Sequence, residues 1–482
     1  MRVARLLFPA LRWDERTGFD GAAESVERAL ELGVGGFIVF GGEADTVREV
    51  IAGIRSRSAE PLLIGADLER GAGQQFRGAT PLPPLAALGA LDDLDATRRS
   101  GELTAREARS LGVDWIYAPV ADLDIEPRNP IVGTRAFGAD PGRVGAQLAA
   151  WIEGCRAGGA LSCAKHFPGH GRTTSDSHLA LPVVTAGRDE LEVDLAPFRR
   201  AIEAGVDSIM TAHVSYPALD PSGAPATLSP RIITRLLREE LGFDGLVVTD
   251  ALIMEGVRGG EGGEVSAAVR ALQAGCDLLL YPDDPAAVAR EVEAAVGGVL
   301  SEERVAEALE RLDRAARRAA GWRGESGWGR ESDRSWALEL AVRTIHVARG
   351  EPISLAGRSI ELYTIDDDVG GPFPPPARDV FPAKLRELGV VVGEGAAGGG
   401  ADAVPVIALY ADIRGWKGRP GLSARAVAEV DKVLAMRPGA LVVLFGHPRL
   451  AAEIPGEVPV VVAWGGEALA QEAAAVWSVR ER

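Results

Sequence analysis

Short apolar runs alternate with longer segments in which apolar positions recur every three or four residues. The runs are VARLLFP (3–9), GGFIVFG (35–41), PLLIGADLE (61–69), VDWIYAPV (113–120), ALSCAKHF (160–167), SIMTAHVSY (208–216), GLVVTDAL (245–252) and DLLLYP (277–282). Uninterrupted apolar character is what a strand buried on both faces requires. Between most of them lie AAESVERALELG, GAQLAAWIEGCRAGG, APFRRAIEAGVD, PRIITRLLREELG and SAAVRALQAGC. Each is amphipathic at helical spacing and ends at or near a glycine that can close a helix. A doubly wound open sheet would give the same alternation, but residues 1–320 predict a parallel (β/α)8 TIM-type barrel. The reason is where polar residues fall. Asp67, Lys165 with His166, His213 and Asp250 stand at the C-terminal ends of four separate runs, and a closed barrel gathers such ends at one mouth.

Residues 321–336, GWRGESGWGRESDRSW, read as a linker, and with the helix-like ALELAVRTIHVARG they form a connecting segment over 321–350. From 351 to 482 the runs SIELYTID, PAKLRELGVVVG, AVPVIALYAD, SARAVAEVDKVLAM, ALVVLFGH and VPVVVAW predict a smaller α/β sandwich domain. GGPFPPPARD and the glycines of 395–400 are its loops. No internal repeat shows beyond the α/β alternation. The second domain displays no polar cluster to match the first, and its His447 reads as a loop histidine.

Of the chain's 482 residues, 46% are hydrophobic and 25% charged, a globular composition. A net charge of −17 argues against nucleic-acid and anionic-membrane partners. No run approaches a membrane span, and the early apolar stretch is broken by Pro9 and Arg12 with no cleavage pattern behind it. Cys155, Cys163 and Cys276 have no paired spacing, as expected of idle thiols in a reducing compartment, so the expected location is cytoplasmic. Only four of 52 basic residues are lysines, and Lys165 is the sole one before Lys384. Where arginine has otherwise displaced lysine, a retained ammonium suggests a site that a broad guanidinium cannot fill.

That lysine opens CAKHFPGHGRTTSDSH (163–178), which holds three of the six histidines. His166 and His170 have helical zinc-site spacing, but Pro168 and Gly169 between them forbid the helix, and no metal is expected, although Asp176 and His178 keep a zinc site conceivable. Asp176 and His178 are two apart in a turning segment. A carboxylate there can accept the imidazole N–H, fix its tautomer and prepare a general acid/base. Asp250, ending FDGLVVTD, is costly to bury unpaired, so it faces a polar mouth or accepts hydrogen bonds, the placement a nucleophile needs. His213, in MTAHVSYP, either touches substrate or supports its neighbours.

The run KHFPGHGRTTSDSH, together with GADLERG, NPIVGTRAFG, IMTAHVSYPALD and ATLSPRIITRLLREELGFDGLVVTDALIMEGV, resembles glycoside hydrolase family 3, and within it the bacterial β-N-acetylhexosaminidase branch. The likeness spans roughly residues 5 to 320. It implies a retaining exo-β-N-acetylglucosaminidase acting on cell-wall-derived or related glycosides, without a cofactor. Asp250 matches the nucleophile, His178 the acid/base with Asp176 as its partner, and Asp67, Arg135, Lys165 and His166 the sugar-binding positions. Two positions depart from the pattern: Arg70 stands where a glycine is usual and Gln75 where an arginine is usual, so Arg70 is a candidate replacement contact. A histidine in the second catalytic role is neutral after losing its proton and does not repel an anion. Phosphate is therefore an alternative acceptor to water. A β-glucosidase or β-xylosidase of the same family, and a silent sugar-binding protein, are the other readings.

Overall fold

The computed structural model describes residues 2–259, 262–322, 327–369, 375–395, 402–413, 415 and 417–480. Residues 370–374 of GGPFPPPARD, residues 396–400 of the glycine run and residues 323–326 of the expected linker lie outside the described residues. The chain falls into two units. The first gathers the chain up to Pro81 with Asp93–Ile125 and Gly138–Arg330; the second takes Leu82–Asp92, Glu126–Phe137 and the chain from Glu331.

In the first unit, β1 (Leu7–Phe8) and β2 (Ala10–Arg12) flank Pro9 as one strand. They are followed by β3 (Gly36–Phe40), β4 (Leu63–Ala66), β5 (Trp115–Ile116), β6 (Leu161–Phe167), β7 (Ser208–Thr211), β8 (Leu246–Thr249) and β9 (Leu279–Leu280). Every neighbouring pair from β2 to β8 is parallel. A parallel bridge between Val248 and Leu278 brings in β9, which pairs in turn with β1 through Leu7 and Leu279. The ring therefore closes as the eight-stranded barrel the alternation predicts. The strand expected over 3–9 is different in detail: Val3–Leu6 forms a 3-10 turn and the strand runs on to Arg12. The helix expected from Ala196 begins earlier, spanning Arg188–Glu203 with Pro197 inside, because the Glu190 carboxylate accepts the Gly187 N–H at 3.0 Å and caps it.

Within the α/β alternation, four of the turns at the N-terminal end of the barrel share a pattern. Gly33, Gly112, Gly205 and Gly275 each end a helix with positive φ. Two residues further on, ahead of β3, β5, β7 and β9, stand Gly35, Asp114, Asp207 and Asp277. Each aspartate accepts a backbone N–H of the preceding strand: Ile64 at 3.0 Å, Ser162 at 2.9 Å and Val247 at 2.9 Å. Each also meets arginines: Arg55 and Arg109 on Asp114, Arg318 on Asp207, and Arg238, Arg304 and Arg311 on Asp277. At Gly35 a side chain is impossible, since a Cβ would lie 2.0 Å from the Arg5 carbonyl.

The second unit is a sheet with helices on both faces. Its strand order is β10 (His346–Arg349), β15 (Val460–Val462), β14 (Leu441–Gly446), β13 (Val404–Ala411), β11 (Ser359–Asp366) and β12 (Val391–Glu394), parallel except for β10. One core packs Val430, Val433 and Leu434 against Ile407, Leu409 and Leu444; the other packs Phe381, Leu385 and Ala474 against Val406, Ala408 and Phe445. The α/β sandwich is thus as expected. Its lack of a polar cluster is not, because Asp366, which ends β11, and Asp367 and Asp368, which follow it, are met by Arg378, Lys417 and Arg419. His447 accepts the Arg449 N–H and starts a 3-10 turn. Among the described residues, no helix of either unit is long and apolar enough to cross a membrane.

Candidate active site

Asp67 follows β4, Lys165 and His166 end β6, His213 follows β7 and Asp250 follows β8, so the C-terminal mouth of the barrel collects them. The Lys165 ammonium, almost wholly buried, lies 2.6 Å from Asp67 and 2.8 Å from Glu69. Two carboxylates on one ammonium offset the desolvation of the three groups and fix the stem across the mouth. The β6–β7 register shifts between Lys165 and Phe167, where the Lys165–His166 peptide is cis.

His166 is held from outside that strand. Asp122, fully buried beyond β5, takes the His166 ring Nδ1 on Oδ2 at 2.7 Å. Its Oδ1 accepts the backbone N–H groups of His166 (3.1 Å) and His170 (2.6 Å). Burial works to raise this carboxyl, yet the His166 ring and the His170 N–H bring it below the usual carboxylate value. His170 is internal to the loop, its ring nitrogens meeting Thr173 Oγ1 at 2.8 Å and Ser177 Oγ at 3.0 Å; burial lowers it to about 4, so it is a neutral brace. Gly171 next to it is required by space, since a Cβ would lie 2.0 Å from the Leu123 carbonyl.

The loop beyond β6 is pinned along its length. Tyr216 Oη donates to Gly169 O at 2.8 Å, Arg172 pairs with Asp194 at 2.6 Å, and Val184 N–H donates to Ser215 O at 2.9 Å. Between those pins the Asp176 carboxylate is buried, and its Oδ1 accepts His178 Nδ1–H at 2.6 Å and the His178 backbone N–H at 3.0 Å. His178 keeps 25% of its side chain exposed, as a group that must reach a ligand requires. The Gly256 N–H donates to Ser177 O at 3.1 Å, tying the loop after Asp250 to the residue before His178.

Asp250 is the electrostatic centre. Burial pushes its carboxyl up, but the His166, His213 and His178 imidazoles and the Ala251 N–H, at 2.7 Å, outweigh that and hold it at about 2. His213 spends both ring nitrogens on the protein, with Nδ1 2.7 Å from Thr227 Oγ1 and Nε2 donating to Ala251 O at 3.1 Å. Burial lowers its pKa. Arg70, partly buried, has its N–H on Gln74 Oε1, while Gln75 accepts the Gly41 N–H at 3.1 Å and so fixes the turn after β3. Arg135 belongs to the second unit, and its Nη1 lies 3.4 Å from Ile131 O. Among the described residues no group of three or more His, Cys, Asp or Glu is arranged to hold a metal ion.

Sequence reasoning overlooked Glu69 and Asp122. Both obey the rule that found the others, a carboxylate just past an apolar strand, but each stands two or more residues beyond it, where a turn is the simpler expectation.

The sequence pattern of the "Glycosyl hydrolase family 3 N terminal domain" matches residues 9–315. A β-hexosaminidase of Nitrosomonas eutropha is 40% identical over 264 residues, covering 52% of this chain and 74% of that protein. A β-hexosaminidase of Thiobacillus denitrificans is 41% identical over 264 residues, covering 52% and 72%. Among solved structures, a glycoside hydrolase family 3 β-N-acetylglucosaminidase from Paenibacillus sp. str. FPU-7 superposes with a TM-score of 0.82 at 27% identity, over 99% of this chain and 96% of that one. A β-glucoside phosphorylase superposes with a TM-score of 0.87 at 23% identity, over 99% and 91%, a likeness of fold alone.

Proposed function

Because the chain belongs to glycoside hydrolase family 3, we propose that it is a retaining exo-β-N-acetylglucosaminidase, releasing terminal N-acetylglucosamine from cell-wall-derived or related glycosides. The observation that carries this reading is a carboxylate held ionised at the barrel mouth among three imidazoles, one of which, His178, has its own buried carboxylate partner. Asp250 attacks the anomeric carbon as the bond to the leaving oxygen breaks, and His178 delivers its Nε2 proton to that oxygen. Asp176 holds Nδ1–H, so the proton given up is the one on the exposed nitrogen. In the second step water attacks the same carbon, returns a proton to His178 and frees Asp250, so the β configuration is kept. Asp67, Lys165 and His166 take sugar hydroxyls, and Arg70 and His213 line the site. Arg135 rests on family resemblance, and no step uses it.

The relatives named β-hexosaminidase support the acetamido sugar over glucose or xylose. Aryl N-acetylglucosaminide should turn over faster than aryl glucoside or xyloside; the reverse order moves the protein to the wider family's β-glucosidases. Asp250→Ala should lose roughly 4 to 8 kcal/mol of transition-state stabilisation, a rate loss of several orders of magnitude. Near-normal turnover by that variant would remove the assignment.

Phosphorolysis is the second reading, favoured by the acid/base itself. Once His178 has given up its proton it is neutral, whereas a carboxylate in its place would repel an entering phosphate. Turnover with and without phosphate, followed by identification of the sugar as free N-acetylglucosamine or its 1-phosphate, separates the two.

A further inference from the structure

Among the described residues, Asp122 is a fully buried carboxylate at the mouth that the proposed reaction leaves without a part. It makes three hydrogen bonds to a single turn: the His166 N–H and the His170 N–H on Oδ1, at 3.1 and 2.6 Å, and the His166 ring Nδ1 on Oδ2, at 2.7 Å. The turn closes on itself through the Gly169 N–H, which donates to His166 O at 2.8 Å. The other ring nitrogen, His166 Nε2, has no protein hydrogen bond among the described residues. The ring is 93% buried, and the groups acting on it are Asp122 beyond β5, His170 on the same turn with ring centroids 5.9 Å apart, His213 beyond β7 and Asp250 beyond β8.

We propose that Asp122 is a positioning residue for the glycosidic reaction: it keeps Nδ1–H of His166 on itself, so that the ring, whenever it carries a single proton, presents Nε2 to the sugar as a hydrogen-bond acceptor. A carboxylate accepts and cannot donate, so Nδ1 must carry the proton when it faces Asp122, and the lone pair falls on Nε2. A sugar hydroxyl meeting that nitrogen donates its proton, which leaves its oxygen to accept from another donor. Lys165, one residue back and fixed by Asp67 and Glu69, supplies an ammonium suited to that part. Asp122 thus orders the direction of a hydrogen-bond chain through the sugar. The same carboxylate anchors the start of the loop that leads to Asp176 and His178. The inference rests on the glycosidase reading for its consequence, but the tautomer itself does not.

The test begins on the unaltered protein. With histidine labelled with nitrogen-15, and His166 assigned by the resonance missing from His166→Gln, His166 should show a protonated Nδ1 and an unprotonated Nε2 where the ring is neutral. Protonated Nε2 in that state overturns the proposal whatever the enzyme does. In Asp122→Asn the amide NH2 can donate to Nδ1, so the pattern should invert to Nε2–H. With the tautomer inverted, kcat/KM on aryl N-acetylglucosaminide should fall about 10- to 100-fold, by analogy with the loss of a group that orients a metal-ligating histidine. The larger part should be in kcat, because hydrogen bonds to the sugar strengthen in the transition state. Asp122→Glu, which restores an acceptor, should return the Nδ1–H pattern. An inverted tautomer with unchanged kinetics overturns the proposal. If the wild-type tautomer is as stated but no β-glycoside is turned over, the assignment of function fails and that of the tautomer stands.

Discussion

Burial alone would push the Asp250 carboxyl up, and the imidazoles of His166, His213 and His178 reverse that to about 2. A lowered value means the charged form persists at every pH above it, so the proposed nucleophile does not protonate through the working range. With a 2,4-dinitrophenyl glycoside, whose leaving group needs no proton, the rate of glycosylation should stay flat from neutrality down to about pH 4, a range well above that value. A fall centred near an ordinary carboxylate pKa would show that the imidazoles do not act on Asp250. Asp176 works on the other catalytic group. Asp176→Asn should slow turnover by about 100- to 10,000-fold, through the wrong His178 tautomer and an unstabilised imidazolium. The loss should be greater for a methyl glycoside than for the dinitrophenyl glycoside, and equal losses on both would mean that Asp176 only shapes the loop. At this scale the sequence was legible where a polar residue ends an apolar strand, as Asp67, Lys165, His166, His213 and Asp250 do. Asp122 was not, because its significance is a set of three bonds to a segment more than forty residues away.

Among elements, the buried parallel strands were readable because nothing but apolar side chains suits both of their faces. The first strand was misplaced since Val3 and Leu6 are buried in a 3-10 turn just as they would be in a strand. The fourfold Gly-x-Asp or Gly-x-Gly pattern escaped because its copies come at uneven intervals and one of them carries glycine in the aspartate's place. Its energetic content is concentrated at Asp277, where Arg238, Arg304 and Arg311 converge and the Val247 N–H donates. Removing one side of a buried ion pair leaves charge uncompensated, so Asp277→Ala should cost about 3 to 5 kcal/mol. Urea unfolding measures that cost. The residual folded enzyme should keep near-normal KM, because Asp277 precedes β9 and the catalytic groups follow the strands at the opposite end of the barrel. A cost under about 1 kcal/mol, the size of an exposed pair, would show that the cluster is solvated.

For the whole molecule, the alternation of strands and helices was enough to expect a barrel and a sandwich. The polar cluster of the second unit was hidden because it assembles Asp366–Asp368 with Arg378, Lys417 and Arg419, each ordinary where it stands in the chain. It lies where β11 and β13 are neighbours and the strand order reverses. In the first unit, the proposed reaction requires Asp250 and His178 to flank one sugar. The most direct test of that requirement is to trap the covalent intermediate with a fluorinated N-acetylglucosaminide in the Ala variant of His178, where departure of the second group is slowed, and to map the labelled peptide by mass spectrometry. The account expects one sugar per chain, bound to Asp250, with azide then releasing a β-glycosyl azide. A label on another residue, or α-configured product with no label, would contradict it.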